Sequence, residues 1–225
     1  MKQLFEGEVY EILPLKGGII FSYCKESNSD NVLVAYRMLS FDNGKFSNVE
    51  NDIYLITKFG NNYKAVASLF ENHIKVKSIV LPSGKVFVME PDGSTKLLDN
   101  NAEAIWTGNL IYKGTVPGDI ALYNNTLLAT YPECNAILSY NIATMKEELR
   151  IGGSKSPFKK PRTLSISGDN VAVCNLESKN ILEFNMKTYK LKELESFEEP
   201  VYQYLDVAGN RFVLLQSGLY LLDWI

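Results

Sequence analysis

Ile120-Ala121-Leu122-Tyr123-Asn124-Asn125-Thr126-Leu127-Leu128-Ala129-Thr130 is the stretch from which the fold of this chain is read. Its first, third, eighth and tenth positions are apolar or alanine, and the polar pair Asn124-Asn125 lies between the two halves. A period of two turns one face of each half towards a core, and Asn tolerates the left-handed φ of a tight turn. The stretch therefore predicts an antiparallel hairpin. Stretches of the same form begin at Ile79, Leu164 and Leu205, so that successive copies lie 41, 44 and 41 residues apart. Pro82-Ser83-Gly84, Gly168-Asp169 and Gly209-Asn210 occupy the turn in those copies.

Two further segments match at an offset of 44: Tyr140-Asn141-Ile142-Ala143-Thr144-Met145-Lys146 and Phe184-Asn185-Met186-Lys187-Thr188-Tyr189-Lys190. Each reads as the end of a third strand and a turn, leading into a polar fourth strand at Glu147 to Ile151 or Leu191 to Glu195. Four short strands in about 40 residues is the pattern of a propeller blade. The expected fold class is therefore all-β, a small β-propeller of five four-stranded blades in a single domain spanning 1–225.

The expected blades cover approximately 16–70, 74–115, 117–153, 161–197, and 200–225 together with 4–12. The last unit stops at Ile225 with three strands, and Leu4 to Ile12 reads as an orphan strand. Pairing the two ends would complete a blade and remove exposed edges. The first blade is irregular: strands near Gly18 to Tyr23, Val32 to Leu39, Ile53 to Phe59 and Tyr63 to Leu69, with a turn at Phe41 to Lys45. Splitting that region in two gives six blades as the alternative.

The segments Asn135-Ala136-Ile137-Leu138-Ser139-Tyr140-Asn141 and Asn180-Ile181-Leu182-Glu183-Phe184-Asn185 resemble the blade core of the NHL and YVTN (YncE-like) propeller superfamily. There an Asn, an aliphatic pair and an aromatic lead into a polar turn. The resemblance covers roughly Ile79 to Ile225. It implies a propeller fold and binding of peptides, proteins, RNA or small molecules, and it brings no catalytic residues with it.

Composition narrows the classes. With 46% hydrophobic and 22% charged residues the chain is neither disordered nor membrane-like. The net charge of −3 argues against a nucleic-acid binder, which ordinarily carries a basic face. No apolar stretch approaches the roughly 20 residues of a membrane helix. The N-terminal Met1-Lys2-Gln3-Leu4-Phe5-Glu6-Gly7-Glu8 has no apolar core of a secretory leader, so a cytoplasmic location is expected. Cys24, Cys134 and Cys174 are far apart and form no CxxC pair; Cys174, inside an apolar run, reads as a small buried residue.

Candidate chemistry is sparse. The one histidine, His73, sits in an apparent inter-blade link and reads as a solvated residue rather than a base. Asp119 and Asp206 near the starts of first strands, with Glu90 and Glu177 at the ends of second strands, are the acids that a glycosidase-like site could use. Trp106 and Trp224 are too few and poorly placed for a site like that of plant glutaminyl cyclases. Lys155-Ser156-Pro157-Phe158-Lys159-Lys160-Pro161-Arg162 could grip a phosphate or an acidic segment, or be a solvated loop. Gly152-Gly153-Ser154 is a turn signal, and no nucleotide-binding loop is present, so no cofactor or metal is expected.

In a propeller the connections from fourth to first strands and from second to third strands share one face. Loops of that kind usually carry the function. The candidate ligand-binding residues there are Tyr131, Glu133, Arg162, Asn175, Glu177, Tyr202, Tyr204 and Gln216. Tyr and Arg are frequent interface anchors. The expected function is a non-catalytic binding or scaffold module for a peptide, protein or small ligand. The alternative is a small hydrolase or lyase using channel carboxylates.

Overall fold

The computed structural model describes residues 1–15, 18–27, 31–42, 45–48, 53–58, 77–152 and 155–222. It is an all-β structure of five antiparallel sheets, the blades of a five-bladed β-propeller. The chain divides into two compact units, Ile74–Pro200 and Met1–His73 with Val201–Ile225.

The Ile74–Pro200 unit holds three blades. The first consists of β7 (Lys77–Val80), β8 (Val86–Met89), β9 (Ser94–Leu98) and β10 (Ala104–Asn109). The next consists of β11 (Asp119–Tyr123), β12 (Thr126–Tyr131), β13 (Ala136–Asn141) and β14 (Glu147–Gly152). The third consists of β15 (Pro161–Ser167), β16 (Asn170–Asn175), β17 (Asn180–Asn185) and β18 (Leu191–Ser196). These are blades two, three and four in chain order, and their first strands β7, β11 and β15 lie side by side.

The turns follow the repeat residue by residue. Asn124 (φ +52), Gly168 (φ +58) and Gly84 (φ +82) take the left-handed turn positions. In the segments 44 apart, Asn141 Oδ1 accepts the amides of Ala143 and Thr144, and Asn185 Oδ1 accepts those of Lys187 and Thr188. The Met145 amide donates to the Asn141 carbonyl (2.6 Å), and the Tyr189 amide to the Asn185 carbonyl (2.8 Å). Met145 and Tyr189 share the same left-handed φ, +52 and +56. The Asn side chain nucleates the turn by satisfying amides that the strand ladder leaves open.

The central strands are buried on both faces. Leu127, Ala129, Tyr131, Leu138 and Tyr140 pack with Phe87 and Met89 of blade two. The alternate residues Leu128 and Ile137 pack with Phe158, Val171, Val173 and Phe184 on the side of blade four. Each fully buried Leu or Ile contributes about 1.5–3 kcal/mol. Double burial explains the unbroken apolar run Leu127-Leu128-Ala129 within β12.

In the other unit β19 (Val201–Val207), β20 (Asn210–Leu215) and β21 (Gly218–Leu221) make three strands of the last blade, and β1 (Lys2–Glu6) supplies the fourth by pairing with β21. The first blade has β2 (Val9–Leu15), β3 (Gly18–Ser27) and β4 (Asn31–Asp42). Its outer edge is shared: β5 (Lys45–Asn48) pairs with one end of β4, and β6 (Ile53–Lys58) with the other. Gln203 on β19 clasps Ile12 on β2 through both backbone groups (2.9 and 2.8 Å).

Two expectations are corrected here. The run Leu4 to Ile12 is not one strand: it breaks at Gly7, whose φ of +121 suits glycine and whose amide bonds the Ser217 carbonyl (3.2 Å). Only its first part closes the last blade, while Val9 begins the first strand of blade one. The segment Val32 to Leu39, expected as a second strand, lies within the third, because β2 precedes it in the sheet. The expected strand Tyr63 to Leu69 lies outside the described residues. Five sheets form among the described residues, which answers the alternative of six.

Candidate functional site

Three connections meet at one end of blades three and four: β12 to β13, β14 to β15 and β16 to β17. The second of these carries the basic run, and the structure pins it at several points. Phe158 is fully buried and meets Phe184 edge to face (6.2 Å between centroids, 64°). The Ser156 hydroxyl accepts the Phe158 amide (3.0 Å). The Lys159 amide donates to Asn175 Oδ1 (3.2 Å), and the Lys160 amide to Asn135 Oδ1 (2.8 Å). The amides of Leu176 and Glu177 return to the Lys160 and Lys159 carbonyls (3.2 and 3.3 Å).

The two asparagines are held in turn. Asn135 follows a short 3-10 turn (Pro132–Cys134) and takes φ +49, which aims its side chain back at the neighbouring connection. Asn175 is fully buried and donates to the Val173 carbonyl and to Asn180 Oδ1 (3.3 and 3.2 Å). A buried amide group satisfied in this way fixes backbone geometry at a low net cost. The result is a rigid platform that exposes the side chains of Glu133, Lys155, Lys159, Lys160 and Glu177.

The other candidates fall elsewhere. Tyr131 is fully buried, edge-on to Tyr112 at 5.4 Å, with its hydroxyl 2.9 Å from that of Tyr140. Burial, followed by the hydrogen bond with Tyr140, pushes its phenol far above the ordinary range. Tyr131 therefore packs in the core, and Asn175 is a buried strut between two connections. Arg162 is half-buried on β15, where its carbonyl accepts the Thr130 hydroxyl (2.9 Å). Tyr202, Tyr204 and Gln216 belong to the other unit. Tyr202 is half-buried against that unit's core, Tyr204 is buried, and Gln216 is exposed at the β20–β21 turn.

The acids considered for catalysis are individually engaged. Asp119 is buried, pairs with Lys77 Nζ at 3.1 Å and accepts the Leu164 amide at 3.0 Å, so it ties together the first strands of blades two, three and four. Asp206 accepts the Gly209 amide in its own turn (3.1 Å), and Glu90 faces Lys96 at 3.9 Å. Glu177 is exposed. Trp106 is half-buried and stacks on Phe87 (6.4 Å, 24°). His73 and Trp224 lie outside the described residues. Among the described residues no group of three or more His, Cys, Asp or Glu could hold a metal ion, and no helix is long and apolar enough to cross a membrane.

Sequence reasoning did not find Asn135 and Asn180 as site-building residues. Their signal was present as the Asn that opens the third strand in each of the two resembling segments. It also missed the surface between the outer strands of blades three and four. That surface is a groove of about 350 Å³ lined by Leu149, Arg150, Ile151, Gly152, Pro157, Phe158, Phe184, Tyr189 and Leu191.

No protein family and no curated protein matches the sequence. Solved structures do resemble it. Streptogramin B lyase superposes with a TM-score of 0.53 at 13% identity, over 99% of this chain and 71% of the lyase. The computationally designed Ika4 protein gives 0.51 at 12% identity, over 66% of this chain and 90% of its own. The Myceliophteria thermophila Cps50 (Swd1) β-propeller domain gives 0.50 at 12%, over 96% and 70%. At these identities the likeness is one of fold, and function does not travel with a propeller.

Proposed function

We propose that this chain is a non-catalytic binding or scaffold module, an NHL- or YVTN-like propeller that engages a peptide or protein. The contact surface in this reading is the loop end of blades three and four. One observation carries it: Glu133, Lys155, Lys159, Lys160 and Glu177 are exposed, form no ion pair among the described residues, and project from connections pinned to one another by four hydrogen bonds of backbone amides, two to carbonyls and two to asparagine side chains. A rigid backbone presenting charges of both signs loses little entropy on docking, and complementary charge favours partner selection. A cytoplasmic setting, with neither nucleic acid nor membrane as partner, belongs to the same reading.

The test is quantitative affinity purification on the wild-type chain beside two double variants, Lys159→Glu/Lys160→Glu and Glu133→Lys/Glu177→Lys, with calorimetry on any recovered partner. A partner retained by the wild type and weakened about tenfold or more in one of the variants supports the reading. Recovery of the same proteins by all three chains overturns it.

A further inference from the structure

An outer strand leaves a row of backbone amides and carbonyls without a ladder partner. Such an edge pairs with a further strand unless charged side chains or proline block it. β14 is blocked by Glu147, Glu148 and Arg150, and β18 by Lys192, Glu193 and Glu195. The outer strands β1, β5 and β6 each include a lysine. β10, Ala104-Ile105-Trp106-Thr107-Gly108-Asn109, is the outer strand of blade two and has neither charge nor proline. The uncharged run continues through Leu110, Ile111 and Tyr112, and Ile105 and Ile111 are both exposed. Ile, Trp and Thr also favour the extended backbone.

The edge of β10 presents a defined set of groups. The Leu110 amide donates to the Gly93 carbonyl (2.9 Å), and the register continues through Asn109–Ser94, Gly108–Thr95 and Thr107–Lys96. The alternation of an antiparallel pair then turns the amide and carbonyl of Gly108 towards β9 and those of Thr107 and Asn109 outward. The side chains of Thr107 and Asn109 are exposed, whereas Trp106 and Gly108 share the other face of the strand. There the Trp106 ring stacks on Phe87 and folds back along its own strand, so that a β-carbon at Gly108 would collide with it. Bulk at Trp106 and its absence at Gly108 are therefore linked.

Charge and shape select a second copy of the same strand as the partner. Two β10 strands running antiparallel about a two-fold axis at Thr107 set Thr107 opposite Thr107, where the outward amide and carbonyl of each copy meet those of the other. Each Trp106 then stands opposite the other copy's Gly108, so no cross-strand pair joins two bulky side chains. Each Ile105 stands opposite Asn109, and no like charges are opposed anywhere in the pairing. Against any other outer strand, β10 would cover charged side chains and offer them no counter-charge. A strand that is its own complement gives an isologous contact, which closes at two copies.

We propose that this chain forms a symmetric dimer by antiparallel pairing of β10 with β10 of a second copy. The register with β9 shifts between Ala104 and Trp106, which limits the regular stretch to Trp106–Asn109. A contact this short falls below the roughly 1,600 Å² of a standard interface, so the dimer is weak and populated at high micromolar concentration. The loop end of blades three and four takes no part in it, and the two surfaces are tested apart.

The experiment is sedimentation equilibrium of the full chain from low to high micromolar concentration, where a monomer–dimer equilibrium is expected. Thr107→Lys sets two ammonium groups opposite each other and should weaken association about tenfold or more. Ser196→Lys adds the same charge at an exposed position on β18 and should leave association unchanged. A second variant locates the contact should Thr107→Lys fail to fold. Facing Cα atoms of an antiparallel pair lie about 4.5–5.5 Å apart, within disulfide reach, so Thr107→Cys oxidised with copper-phenanthroline should run as a cross-linked dimer on a non-reducing gel. The wild type and Ser196→Cys should not. A chain that stays monomeric throughout, a dimer that Thr107→Lys leaves intact, or equal loss in Ser196→Lys overturns the proposal. So does Thr107→Cys that cross-links no more than the wild type.

Discussion

Asp169 sits in the turn between β15 and β16 and accepts two bonds, from the Tyr123 hydroxyl of blade three (2.7 Å) and from Lys187 Nζ (2.8 Å). The Lys187 bond, followed by that of Tyr123, holds its carboxyl below the usual carboxylate range. A depressed folded value contributes stability above the unfolded value, about pH 4, and that contribution is lost as pH falls through the folded value. Asp169→Asn should therefore melt below the wild type at about pH 7, and the two curves should converge in acid as the Asp169 carboxyl protonates in the folded chain. Thermal melts across that range check this, and a difference that persists in acid would assign the effect to packing. Gly168-Asp169 was legible in the sequence as a turn, whereas the partners of Asp169 were not, since Tyr123 belongs to another blade. Tyr131 shows the same boundary: its strand was readable, yet only packing showed that its ring faces Tyr112 rather than solvent.

At the scale of elements, the connection from β14 to β15 shows how a charge run misleads. Read along the chain, Lys155 to Arg162 is a basic loop with one aromatic. Folded, Phe158 is a plug between two blades and Pro161 is buried, while Lys155, Lys159 and Lys160 remain exposed. Phe158→Ala should cost about 3–5 kcal/mol, as truncation of a buried aromatic does, and urea denaturation measures it. A cost under about 1 kcal/mol would mean that the cavity collapses or that the loop carries no packing role. The turns after β13 and β17 were better read, because Asn141 and Asn185 act on amides two and three residues away. Local hydrogen bonds leave a local signature, and the groove formed when two blades face each other does not.

At the scale of the whole chain, the termini were predicted to meet, and β1 does pair with β21. Phe5 then packs on Phe21 and Tyr23 of the first blade (5.2 and 4.6 Å), under the Arg37 guanidinium at 5.5 Å. Deleting residues 1–6 uncovers the edge of β21 and removes this ring from the cluster, so the shortened chain should melt lower and self-associate. Size-exclusion chromatography with light scattering checks this, and a monomer of unchanged melting temperature would show that β1 is dispensable. The sequence by itself determined the strand alternation, the turn chemistry, the repeat of about 40 residues and hence the fold class, because these rest on neighbours a few residues apart. Tertiary structure alone decided the break at Gly7, the burial of Tyr131 and Phe158, the Lys77–Asp119 tie and the apolar groove over Phe158. Each of these joins residues from different strands or blades, and contacts over such separations follow from packing that no local pattern encodes.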